Sequence, residues 1–111
     1  MLPASVRIFV GTEPQDMRRS FDGLARATRQ VLGEDPQSGA LFVFVGKSKT
    51  RAKVLWFERP GYCLLYKRLL RALFAVPRAS DGRPSVRIDA EGLGALLAGV
   101  PNELARKKLD A

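Results

Sequence analysis

The stretch that decides the fold runs from residue 41 to residue 69 and opens with the apolar run Leu41-Phe-Val-Phe-Val45. A basic loop, Gly46-Lys-Ser-Lys-Thr-Arg51, separates it from a second strand-like run over residues 52–58. The turn signal Arg59-Pro-Gly61 then leads into a third run over residues 62–69. Because sequential strands joined by short turns pair antiparallel, we predict a three-stranded meander over about 41–69. The strand 41–45 is apolar on both faces and is therefore predicted to be central.

Two helices are predicted on either side of this meander. Apolar residues recur at helical spacing over about 17–32, after Asp16 as a candidate N-cap. A second apolar stripe over about 90–99 follows Asp89, a candidate N-cap of the same kind.

Shorter strands complete the predicted elements, over residues 6–10, 73–76 and 85–88. The fold class predicted is α+β, with an antiparallel sheet packed against helices at about 17–32 and 90–99. Antiparallel sheets commonly keep one wet face, so we expect the basic residues on a face that the helices leave uncovered.

A length of 111 residues suits a single domain, predicted over 1–101, with a flexible basic C-terminal tail over 102–111. No stretch approaches the roughly 18 apolar residues of a membrane span, so no membrane association is expected. One cysteine, Cys63, cannot form an internal disulfide and fits a reducing cytoplasm. Its apolar neighbours predict a buried, inert thiol.

The charge is strongly basic: 19 Lys and Arg stand against 11 Asp and Glu, for a net charge of +8, and 13 of the basic residues are Arg. Guanidinium groups match phosphate geometry, so an anionic partner, above all nucleic acid, is the leading inference. The alternative is a basic surface that only keeps the protein soluble.

Histidine is absent, which excludes the usual zinc sites and Ser-His-Asp or Cys-His catalysis within one chain. The acids are scattered, and Asp16 and Asp89 are interpreted as helix caps. We therefore predict a protein that is not an enzyme, with no catalytic residue, no metal site and no cofactor.

Three clusters of basic residues are candidates for contact with nucleic acid. They lie on the first helix, in the hairpin loop and at the end of the third strand of the meander: Arg18, Arg19, Arg26 and Arg29; Lys47, Lys49, Arg51 and Lys53; Lys67, Arg68 and Arg71. Each cluster has an ordinary structural alternative, a solvated face or an edge strand blunted by charge. The aromatic residues nearby, such as Trp56 and Tyr66, could stack on bases or lie in the core.

Several segments together resemble the TnpB-type accessory protein of the IS-sixty-six family of bacterial insertion sequences. The likeness runs from about Val6 to Pro101. It is carried by Asp16-Met-Arg-Arg-Ser-Phe-Asp-Gly-Leu-Ala25, Asp35-Pro-Gln-Ser-Gly-Ala-Leu-Phe-Val-Phe44, Lys53-Val-Leu-Trp-Phe-Glu58 and Gly61-Tyr-Cys-Leu-Leu-Tyr-Lys-Arg-Leu69.

The resemblance implies a non-catalytic protein of a mobile genetic element, needed for efficient transposition beside a separate transposase that does the DNA cutting. Two roles stay open: a module that contacts DNA, and a protein-interaction subunit that binds the transposase without touching DNA. Association of the chain with itself stays open as well.

Overall fold

The computed structural model describes residues 5–102. The predicted tail over 102–111 therefore lies, apart from Asn102, outside the described residues. The elements are, in chain order, strand β1 Ile8–Gly11, helix α1 Phe21–Ala27 with a π-helical turn Thr28–Leu32, strands β2 Leu41–Val45, β3 Arg51–Glu58, β4 Gly61–Arg68, β5 Ala72–Leu73 and β6 Ser85–Ile88, helix α2 Ala90–Ala98, and strand β7 Val100–Pro101.

Five strands form the main sheet in the order β4-β3-β2-β1-β6, and β5 pairs with β7 in a small second sheet. The α+β class is confirmed, and the meander is present as the antiparallel run β2-β3-β4. Strand β2 lies third of five, which confirms its predicted central place.

The main sheet is mixed because β1 pairs parallel with β2 and antiparallel with β6. A chain that leaves one strand and returns through a helix enters the sheet in the same direction, and α1 makes such a crossover between β1 and β2. Consequently the carboxyl ends of β1 and β2 lie at the same end of the sheet.

Each face of the sheet carries one helix. The face that we call the α1 face packs its core from Phe9, Leu24, Phe42, Phe44 and Leu55, among others. The opposite α2 face packs Ile8, Val10, Val43, Val54, Leu93 and Leu96. No face of the sheet is left entirely free of helices, so the expectation that basic residues gather on such a face is wrong.

Helix α1 begins at Phe21, four residues later than predicted, and Asp16 does not cap it. The Asp16 carboxylate instead accepts the backbone N–H of Arg18 at 2.9 Å. Tertiary contacts hold the segment before the helix: a Cβ placed on Gly46 would lie 2.7 Å from Cγ of Met17, so that side chain uses the space a glycine leaves.

Helix α2 confirms its prediction closely. The Asp89 carboxylate accepts the backbone N–H of Gly92 at 2.7 Å, as an N-cap does. The short strand predicted over 73–76 is displaced to Ala72–Leu73, where it pairs with the segment that follows α2. Within residues 5–102, no helix has the length and apolar content that crossing a bilayer requires.

Candidate nucleic-acid interface

Two arginines face each other where β3 begins and β4 ends. The ladder places Arg51 directly opposite Arg68, and both side chains are exposed on the α1 face. Like charges in such a position repel each other. The ion pairs in the described part of the chain are Arg18–Asp16 and Arg83–Asp81, so no acid there neutralises this pair.

The next pair along the same ladder is Lys53 opposite Tyr66. The Tyr66 side chain is 50% exposed, and with Arg51 and Arg68 it lines a shallow cavity of about 280 Å³. An exposed aromatic ring beside two guanidinium groups has the chemistry of a surface that binds a base and its phosphates.

Lys53 lies beneath this surface and is only 6% exposed. Its Nζ donates to the backbone carbonyl of Arg19 at 2.6 Å and sits 4.6 Å from the centre of the Tyr66 ring. The ammonium group thus ties β3 to the segment before α1 and supports the tyrosine from below. This burial argues against a phosphate contact at Lys53.

The loop between β2 and β3 brings further charges to the same end of the sheet. Lys47 is exposed, whereas Lys49 is half-buried with φ +62°. The carbonyl of Lys49 accepts the N–H of Phe74 at 2.8 Å, and the carbonyl of Thr50 accepts the N–H of Leu69 at 2.8 Å. These bonds hold the chain after β4 against the loop.

The segment before α1 reaches this end as well, because the N–H of Gln15 donates to the last carbonyl of β2 at 3.1 Å. Arg18 there is bound to Asp16 through its guanidinium at 2.8 Å. That hydrogen bond lowers the pKa of Asp16 to about 2 and raises the pKa of Arg18. The Arg18 charge is therefore already compensated.

The predicted candidates thus separate into three groups. Seven lie on segments that meet at one end of the sheet, which we call the basic end: Arg18, Arg19, Lys47, Lys49, Arg51, Arg68 and Arg71. Three lie elsewhere: Arg26 and Arg29 are exposed on α1 and its π-helical turn, and Lys67 points to the α2 face because side chains alternate along β4. The remaining residue is the buried Lys53.

Two basic residues outside the predicted set, Arg78 and Arg83, line a cavity at the ends of β1 and β2 with Lys49. Their loop carries only turn signals in the sequence, so charge counting along a predicted element does not find them.

The groups that could support catalysis or metal binding are dispersed. Among residues 5–102, no cluster of three Cys, Asp or Glu side chains could hold a metal ion. Cys63 is half-buried, less than predicted, and its Sγ lies 3.7 Å from Oε2 of Glu58. Burial, and then the nearby carboxylate, raise the pKa of this thiol, so it stays protonated near neutral pH.

Comparison with known proteins places the chain in a family. No solved structure matches it. It is 40% identical over 102 residues to the uncharacterized protein y4hO of Sinorhizobium fredii, covering 90% of this chain and 87% of that protein. It is 31% identical over 103 residues to the uncharacterized protein y4jC of the same organism, covering 93% and 86%. The family model described as IS66 Orf2 like protein matches residues 6–107. The chain therefore belongs to the IS66 Orf2-like family, the family of an insertion-sequence accessory protein.

Proposed function

We propose that this accessory protein acts without catalysis in cytoplasmic DNA transposition by binding the phosphate backbone of DNA through its basic end. The observation that carries the proposal is the facing pair Arg51 and Arg68, which no acid compensates in the described part of the chain and which lies beside the exposed ring of Tyr66. A folded protein gains nothing from two facing guanidinium groups, whereas phosphates between them would relieve the repulsion and accept their forked hydrogen bonds.

The geometry favours backbone recognition over reading of sequence. Arg51 and Arg68 stand on a sheet surface, and neither helix of the described region is placed as a helix-turn-helix reader. Arg19 and Lys47 add charge at the same end without an acidic partner among residues 5–102. If about four phosphates are contacted, log K falls against log salt with a slope of about −3.6.

The test is fluorescence anisotropy of a labelled duplex carrying the element end, measured over a series of salt concentrations. Replacing both facing residues, Arg51→Ala with Arg68→Ala, is expected to flatten the slope by about two units. The matched control Arg26→Ala with Arg29→Ala removes the same charge from α1 and is expected to leave the slope unchanged. Equal effects of the two double variants, or a flat titration of the wild-type protein, would reject the proposal.

A second candidate function is binding of the transposase, and one observation favours it. Strand β4 has eight residues and is an edge strand of the sheet. Leu65 on this strand is 39% exposed, and Leu70, just after the strand, is 80% exposed. An extended segment of the transposase could add to such an edge as a further strand.

Capture of the transposase by Leu65→Lys and Leu70→Ser variants separates the two functions. Loss of capture with unchanged DNA binding would assign this edge to the transposase. Full capture by both variants, with their melting temperatures unchanged, would remove this second candidate.

A further inference from the structure

The parallel pairing of β1 and β2 creates a cleft that the basic end alone does not explain. In open sheets with parallel strands, ligands bind outside the carboxyl ends of those strands. At that place lies a cavity of about 320 Å³, lined by the residues that follow β1, by the turn that follows β2 and by the loop over residues 76–83. Its volume is at the lower limit for ligand pockets, which suits a group as small as one phosphate with its sugar.

The charges around this cleft are mostly positive. Lys49, Arg78 and Arg83 line it, and Glu13 is the single acid among its described lining residues. Arg83 meets Asp81 through Nε at 2.6 Å, which leaves its terminal nitrogens without a bond in the described part of the chain. Arg78 is exposed and makes no ion pair there. Asp81 offsets part of the Arg83 charge, so Lys49 and Arg78 supply the uncompensated positive charge of the cleft and Arg83 adds N–H donors to it. Such a lining favours an anion.

Both walls of the cleft are fixed by hydrogen bonds. On one side Thr12 donates its N–H to the carbonyl of Pro84 at 3.0 Å and its hydroxyl to the carbonyl of Arg83 at 2.9 Å. On the other side the carbonyl of Lys49 holds the N–H of Phe74. The backbones that carry Lys49 and Arg83 are therefore positioned before any ligand arrives, which lowers the entropy cost of binding.

We infer that this cleft binds one phosphate group through Lys49, Arg78 and Arg83. The inference rests on the proposed function in that the phosphate belongs to a DNA strand crossing the basic end, since Lys49 lies only two residues before Arg51. A free phosphate or a mononucleotide offers the same chemistry, and the experiment separates these sources.

The first measurement is titration of the ¹⁵N-labelled full chain with inorganic phosphate, followed by the amide signals of Gly46 and Gly82 in the cleft lining. The test variant combines Lys49→Gly, which suits the left-handed backbone there, with Arg78→Ala. The control combines Arg26→Ala with Arg29→Ala, which removes the same charge at exposed positions outside both the cleft and the basic end. The signals are expected to shift in the wild type and the control, and the test variant is expected to bind about tenfold more weakly or worse.

The second measurement repeats the titration with a short duplex and with a mononucleotide. If the cleft signals shift at a lower concentration of duplex than of mononucleotide, DNA is the source of the phosphate. If both shift the signals at the same concentration, the ligand is a free phosphate. Unshifted cleft signals, or equal weakening in control and test variants, would overturn the cleft. DNA binding at full salt slope by the test variant would refute a DNA phosphate in the cleft and leave the proposed function. Phosphate binding by the wild-type cleft without any DNA binding would leave the cleft and reject the proposed function.

Discussion

Replacing Lys53 by methionine removes a buried ammonium group while keeping most of the aliphatic stem. The variant loses the 2.6 Å hydrogen bond to the carbonyl of Arg19 and the contact with the Tyr66 ring. A hydrogen bond to a charged group contributes about 1.5–3 kcal/mol, and a cation over an aromatic ring about 0.5–1 kcal/mol. Relief of the desolvation of a charge that is only 6% exposed offsets part of this. We expect a net loss of about 1–3 kcal/mol.

Thermal unfolding measures this loss, and at about 4 °C for each kcal/mol the melting temperature should fall by roughly 4–12 °C. The matched control is Arg51→Ala, two residues earlier on the same face, which should hardly change the melting temperature but should flatten the salt slope of DNA binding by about one unit. Lys53→Met is expected to keep the wild-type slope. If Lys53→Met left the stability unchanged and flattened the salt slope, Lys53 would have no structural role and would instead contact DNA.

Three further predictions concern caps and titrations. Asp89→Ala removes the cap of α2 and should cost about 0.5–2 kcal/mol in chemical denaturation, whereas Asp16→Ala, which caps no helix, should cost clearly less. The Asp16 pKa of about 2 is below the ordinary 3.8, so the stability that this carboxylate adds is present above pH 3.8 and is lost as pH falls through about 2. An NMR titration of this carboxyl group with a midpoint near 3.8 would contradict the prediction. Because the pKa of Cys63 is raised, iodoacetamide should alkylate the native thiol more slowly at pH 8 than the unfolded one. Glu58→Gln should speed that reaction, and an unchanged rate would show that the carboxylate has no influence.

The parts of the fold that sequence alone predicted depend on local chemistry. The meander follows from two turns and from a central strand that is apolar on both faces, and α2 follows from a capping aspartate before an apolar stripe. The start of α1 was missed because distant groups decide it: Lys53 holds the carbonyl of Arg19, and Met17 fills the space beside Gly46. A pattern along one segment carries no information about such partners.

At the candidate site, too, local sequence predicts the direction of a side chain but not the contacts that bury it. Arg51 and Lys53 share one strand and one face, so alternation treats them alike, yet one is exposed and the other is buried. Lys53 is buried because its ammonium group reaches the carbonyl of Arg19 in the segment before α1, a hydrogen bond that the Arg51 side chain does not make among the described residues. Strand alternation predicts the direction of a side chain, whereas its availability to DNA depends on what covers it.

The parallel placement of β1 explains why charge collects at one end. Because β1 and β2 run the same way, the chain leaves both strands at the same edge, and the antiparallel partners β3 and β4 begin and end there. The loops that leave or enter that edge carry Arg18, Lys47 and Arg78, whereas the turn at the opposite end of β3 contains Glu58 as well as Arg59. An antiparallel β1 would have carried the segment after it, with Arg18, to the other end and divided the basic residues. The crossover through α1 thus brings basic residues from separate parts of the sequence to one end of the sheet, and the proposed binding of the DNA backbone depends on this topology.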